Sequence, residues 1–225
     1  MRYVVLLSGM AGLAATLAAS FAAPAAAQID YAAEERARYE ACLDRIVTDP
    51  ENAYEDALAW RYEAGGWPAR HCEARALVAL GETEEGAARL EAIASAPDTT
   101  EQWAKVLMFA EAGDAWLSAG MPAESRRAYT EALEYNNESA PLWVGRARGA
   151  LDQEMWAAAE ADASAAIRQD NTLGEAYTIR ATARLELGDL DGAQRDMEMA
   201  RQIDPADIDA LLIRGRINEA RRTGG

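Results

Sequence analysis

The chain holds one histidine, one lysine, two cysteines and two phenylalanines in 225 residues, and each scarcity closes off some chemistry. His71 stands beside Cys72, and adjacent helical residues point about 100° apart, so the two do not make a nucleophile and base on one face. A buried or capping histidine is the expected role, since no Cys or His pair has zinc-ligand spacing. No phosphate loop, dinucleotide fingerprint or serine elbow occurs. With Lys105 as the one lysine and a formal charge of −16, the chain repels phosphate backbones and anionic lipid. Its arginines are dispersed among acids and form no basic stripe, so nucleic acid is not an expected partner.

What is abundant is alanine. β-Branched residues are scattered, so summed propensity past residue 30 favours helix nearly everywhere, and an all-α chain is expected. Acidic clusters at Glu34-Glu35, Glu82 to Glu85 and Asp189 to Asp191 are read as solvated faces and first-turn charges, with no calcium loop among them. No catalytic residue, metal or cofactor is expected.

Residues 1–27 have the pattern of a secretory leader. Arg2 is followed by an uncharged stretch from Val4 to Phe21, and Ala25-Ala26-Ala27 supplies the small residues a peptidase needs. Cleavage there leaves Gln28 as the mature terminus and a formal charge of −17, since one Arg and no acid is removed. The rival reading is an uncleaved anchor, because about 18 apolar residues just span a bilayer. The expected location is periplasmic or secreted, with no membrane association after cleavage. Two cysteines in an oxidising compartment suggest one bridge, Cys42–Cys72, on facing first helices of consecutive hairpins; the alternative is two buried thiols.

The strongest signal is self-similarity at a spacing of 34. With Val106, Ala140, Gly174 and Ile208 as first residues, the fourth positions are Phe109, Trp143, Tyr177 and Leu211, all large. The eighth are Gly113, Ala147, Ala181 and Gly215, all small. Small residues return at the twentieth (Ser125, Ala159, Ala193) and twenty-seventh positions (Ala132, Ala166, Ala200), and Arg146, Arg180 and Arg214 share the seventh. Close approach of paired helices tolerates only small residues at the crossing, and a bulky residue one turn away fills the space beside it. Such pairs cannot bury an apolar face alone and stack into a solenoid.

This pattern resembles the tetratricopeptide repeat family, most closely over Gly174 to Pro205. The unit from Ala140 departs at its turn, where Glu154 replaces glycine. Trp67 to Pro97 reads as a weaker unit, and Tyr31–Val47 with Glu51–Glu63 as an atypical pair. Asp49-Pro50 is its cap and first-turn proline, and Gly65-Gly66 its stop. Trp67 is placed in a loop and Trp103 in an insertion near Pro97 to Glu101; Trp116, Trp143 and Trp156 are assigned to packing. Capping boxes are expected at Thr99 to Gln102 and Thr172 to Glu175. The organisation expected is a leader (1–27), atypical amino-terminal pairs (28–97), three regular units (98–205) and a capping helix with tail (206–225). About eleven helices would form a right-handed superhelical solenoid. The last helix should have a polar outer face of Arg214, Arg216, Glu219, Arg221 and Arg222. The segment containing Ala59-Trp60 and Ala69-Arg70-His71-Cys72 also resembles a module of exported alphaproteobacterial tetratricopeptide proteins.

The resemblance implies a concave groove lined by the fifth and ninth positions of each first helix: Ala110 and Asp114, Val144 and Arg148, Thr178 and Thr182, Leu212 and Arg216. The Lys and Asn of the family's carboxylate clamp are absent there. A mixed apolar groove with two arginines suits an extended or helical peptide. The resulting expectation is a non-enzymatic scaffold or adaptor of the bacterial envelope that binds a protein partner. The alternatives are an envelope enzyme or subunit acting on peptidoglycan or glycan through paired carboxylates, and a structural self-associating protein.

Overall fold

A computed structural model describes residues 31–223; the leader-like segment 1–27 lies outside them. Among the described residues there are eleven helices and no strand. They are α1 (Tyr31–Thr48), α2 (Pro50–Tyr62), α3 (Gly66–Ala79), α4 (Thr83–Ala94), α5 (Gln102–Ser118), α6 (Pro122–Tyr135), α7 (Ala140–Asp152), α8 (Trp156–Gln169), α9 (Gly174–Glu186), α10 (Leu190–Ile203) and α11 (Ile208–Thr223). Five helix pairs and the lone α11 form a right-handed superhelical solenoid. Each helix packs on the next, and each first helix also approaches the first helix of the following pair, except that the α3 and α5 backbones stand farther apart and meet through side chains. The core is accordingly a series of clusters along the solenoid rather than one centre.

The repeat register has a direct steric cause. Tyr129 of α6 lies in the crevice between Gly113 and Gly145, and a Cβ on Gly113 would sit 2.6 Å from its ring. Ala147, Ala181, Ala159, Ala193, Ala132, Ala166 and Ala200 are all fully buried at the close crossings. Between the helices of a pair the chain turns through a left-handed residue: Gly81 (φ +90°), Gly120 (φ +73°) and Gly188 (φ +84°). Glu154 takes the same corner at φ 55° without the freedom of glycine, which costs roughly 1 kcal/mol.

The recurring arginine also acquires a reason. Arg146 grips Asp162 through two hydrogen bonds of 2.9 and 2.6 Å, and Arg180 grips Asp196 through two of 2.9 and 2.7 Å. Both carboxylates are buried at the twenty-third position of their units. Each guanidinium also covers the aromatic ring at the fourth position, Trp143 at 4.6 Å and Tyr177 at 5.6 Å.

Several local expectations are corrected. Neither capping box forms: the Thr99 hydroxyl donates to the Ile93 carbonyl at 2.7 Å, the Thr172 hydroxyl to Asp170 at 2.7 Å. α5 and α9 start after Glu101 and Leu173 with no side-chain cap. Asp49 does cap α2, accepting from the Asn52 amide. α2 ends at Tyr62, before the glycine pair; Ala64 makes the left-handed turn, and Gly66 already opens α3. Trp67 is therefore helical, and it stacks edge-on against Trp103 in the first turn of α5 at 5.5 Å. The exposed surface of α11 carries its arginines and Glu219 but also Ile208 (71%) and Leu212 (62%).

Cys42 and Cys72 are bridged, with Cα atoms 6.3 Å apart, within the usual disulfide span. The bond ties α1 to α3. Beside it His71 is fully buried. One ring nitrogen meets the Tyr39 hydroxyl at 2.5 Å and the other meets Glu111 of α5 at 2.5 Å. The histidine thus fastens α1, α3 and α5 together where backbone packing is weakest.

Candidate interaction groove

All eight positions expected on the first helices open into two adjoining cavities. The first, of about 220 Å³, takes Ala110 and Asp114 from α5 and Val144 and Arg148 from α7. The second, of about 380 Å³, takes Arg148, Thr178, Thr182, Leu212 and Arg216 from α7, α9 and α11. Arg148 and Glu175 belong to both, so they form the ridge between two compartments of one groove. A third hollow, lined by Arg75, Glu111 and Asp114, continues toward α3.

The first compartment is an apolar cup. Ala110, Pro141, Leu142, Val144 and Leu173 supply the walls, with the Tyr129 ring among them. The Tyr129 hydroxyl donates to Asp114 at 2.6 Å. Burial, with Asp114 adding to it, pushes the phenol well above the ordinary tyrosine range, so it stays a neutral donor.

The groove arginines differ from expectation in availability. Arg148 Nε donates to Glu175, and its guanidinium also lies 3.6 Å from Asp114. The Glu175 hydrogen bond is the main reason its pKa stands above the ordinary arginine value. Arg216 is paired with Glu186, and Arg75 with Glu111 at 3.2 Å. Thr178 is buried and donates to Asp207 at 2.8 Å, so it contributes shape rather than a free hydroxyl.

Sequence reasoning missed Glu175, Asp209 and Pro141, and a signal for them existed. They occupy the second position of their units, three residues before the fifth and seven before the ninth. One helical face therefore carries all three positions. Glu175 was assigned to a cap instead, an assignment its bond to Arg148 overrides.

With this geometry in view, similarity to known proteins separates fold from role. No family model matches the chain. A stretch of 115 residues, 51% of the chain, is 30% identical to RNA polymerase II-associated protein 3 of Xenopus tropicalis, and the match spans 18% of that protein. The first tetratricopeptide domain of Spaghetti (RPAP3), solved with the HSP90 peptide SRMEEVD, superposes with a TM-score of 0.51 at 25% identity. That superposition covers 52% of this chain and 94% of the domain. The chain has the tetratricopeptide-repeat fold. The repeat protein YrrB, described as having an unusual peptide-binding site, superposes with a TM-score of 0.65 over 82% of this chain and 96% of its own. At 16% identity, that match speaks for the fold alone. Because the curated relative is matched over under a fifth of its length, its whole-protein role does not transfer with the repeat.

Proposed function

We propose that this tetratricopeptide chain is a non-enzymatic adaptor that holds a segment of a partner protein in the groove formed by α5, α7, α9 and α11. The observation that carries the reading is the merging of eight register positions from four helices into two compartments with a common ridge. An apolar cup beside polar groups is the usual build of a site for a peptide side chain. The related Spaghetti domain was solved with a bound peptide, which supports the same use of the scaffold.

We further propose that the adaptor works in the bacterial envelope. The leader-like residues 1–27 and the Cys42–Cys72 bridge support this, because such bonds persist in oxidising compartments. Export predicts a mature protein beginning at Gln28, which amino-terminal sequencing from fractionated cells reads directly.

The binding reading is tested by placing a photo-crosslinking residue at Ala110 or Thr182 in the groove, and at the exposed Glu131 or Glu198 of the second helices as controls. The reading expects one product shared by both groove positions and absent from the controls. Equal products from groove and control positions would overturn it.

A further inference from the structure

Resting on the groove reading above, we infer that the groove selects a cationic segment: an apolar side chain flanked by Lys or Arg, in contrast to the acidic SRMEEVD held by the Spaghetti domain. Each arginine lining the groove already faces a carboxylate of this chain: Arg148 faces Glu175 and Asp114, Arg75 faces Glu111, and Arg216 faces Glu186. An incoming carboxylate would have to displace one of these internal partners, and the displaced acid would then stand unpaired beside it.

A cation meets the opposite situation. Asp114 is exposed (61%), held by the Tyr129 hydroxyl and only loosely by Arg148. Asp209 lines the second compartment and makes no ion pair among the described residues. Glu175 rises on the ridge between the two. Asp114 and Glu175 both line the apolar cup of the first compartment, so a buried leucine-sized anchor places the flanking peptide residues beside two acids that share the single charge of Arg148. The long-range field points the same way: a chain of net charge −16 attracts cationic segments and repels acidic ones.

The test compares three fluorescent peptides on the full mature chain: Lys-Ala-Leu-Ala-Lys, Glu-Ala-Leu-Ala-Glu and SRMEEVD. The lysine peptide is expected to bind at least about tenfold tighter than either acidic one at low salt, with the preference shrinking several-fold as the Debye length falls from about 10 Å at 0.1 M to about 3 Å at 1 M. Asp114→Asn with Glu175→Gln should remove most of that preference, whereas Glu131→Gln on the convex face should leave it. Equal or tighter binding of an acidic peptide, lost with Val144→Arg, overturns the cationic selectivity and leaves the groove reading standing. Binding of the lysine peptide that survives Val144→Arg overturns the groove reading itself. Failure of all three peptides to bind also overturns the selectivity, provided circular dichroism shows an intact helical chain.

Discussion

In the α3–α4 pair the seventh and twenty-third positions of the repeat carry Glu73 and Arg89, whereas the pairs α7–α8 and α9–α10 carry Arg146 with Asp162 and Arg180 with Asp196. The ion pair is kept and its polarity reversed. Between them, α5–α6 fills both places with buried alanines, Ala112 and Ala128. The crossing therefore accepts either a satisfied pair or two small apolar groups. It does not accept half of a pair, because a lone buried charge loses its solvation without recompense. The two regions differ more in what links them lengthwise. First-helix packing joins α1 to α3 and runs from α5 onward but lapses between α3 and α5, and the α1–α4 region adds a disulfide, a buried histidine reaching α5 and the doubly paired Glu73, which is 1% exposed.

The largest effect that would sharpen this contrast is removal of the bridge. Cys42→Ala with Cys72→Ala should cost up to about 3.5 kcal/mol by loop-closure entropy. In a solenoid that loss stays local. Amide exchange should therefore accelerate in α1 and α2 and hold steady in α9 and α10; uniform acceleration would break the comparison. Next in size, Asp196→Ala strands Arg180 and leaves Arg184 hydrogen-bonded to Glu160 alone, and should lose about 3 kcal/mol in urea unfolding. The double variant with Arg180→Ala, imitating Ala112 and Ala128, should lose clearly less than the single one; additive losses would contradict the pairing rule.

Two smaller changes should stabilise the array by bringing irregular positions into line with their repeats. Ser125 has a buried hydroxyl with no hydrogen-bond partner where the two following units have alanine, so Ser125→Ala should gain about 1 kcal/mol. Glu154→Gly should gain about 0.5 kcal/mol, the relief of the left-handed corner less the entropy glycine adds to the unfolded chain. The smallest effect lies in the amino-terminal region. Burial, then the Glu111 carboxylate, raises the Tyr39 phenol to about 12, against the ordinary value of 10.0. The folded chain thus keeps a proton that the unfolded chain releases. Its contribution is full below pH 10 and fades as pH rises toward 12. Tyr39→Phe should flatten that alkaline decline in thermal unfolding.

These residues also mark how far sequence alone reaches. Positions eight, twenty and twenty-seven were readable because steric exclusion at a helix crossing leaves a repeated mark on side-chain size. The turn at Glu154 was readable as a departure from glycine. The aspartates at position twenty-three were readable in the same way, had the search followed charge as well as size. The failed caps at Thr99 and Thr172 were not readable, since each hydroxyl could either accept from a backbone N–H of the next turn or donate to a nearby oxygen, and the fold chose donation. The groove positions could be named in advance through the register, but the neutralisation of Arg148 and Arg216 depends on Glu175 and Glu186. Those acids arrive from a neighbouring first helix, which no local pattern announces.

The central claim is that the concave face of the first helices is where this chain holds its partner. Hydrogen exchange of the full mature chain with saturating Lys-Ala-Leu-Ala-Lys peptide tests it most directly. The account predicts slowed exchange confined to α5, α7, α9 and α11. Slowing that falls instead on α6, α8 and α10 would contradict it.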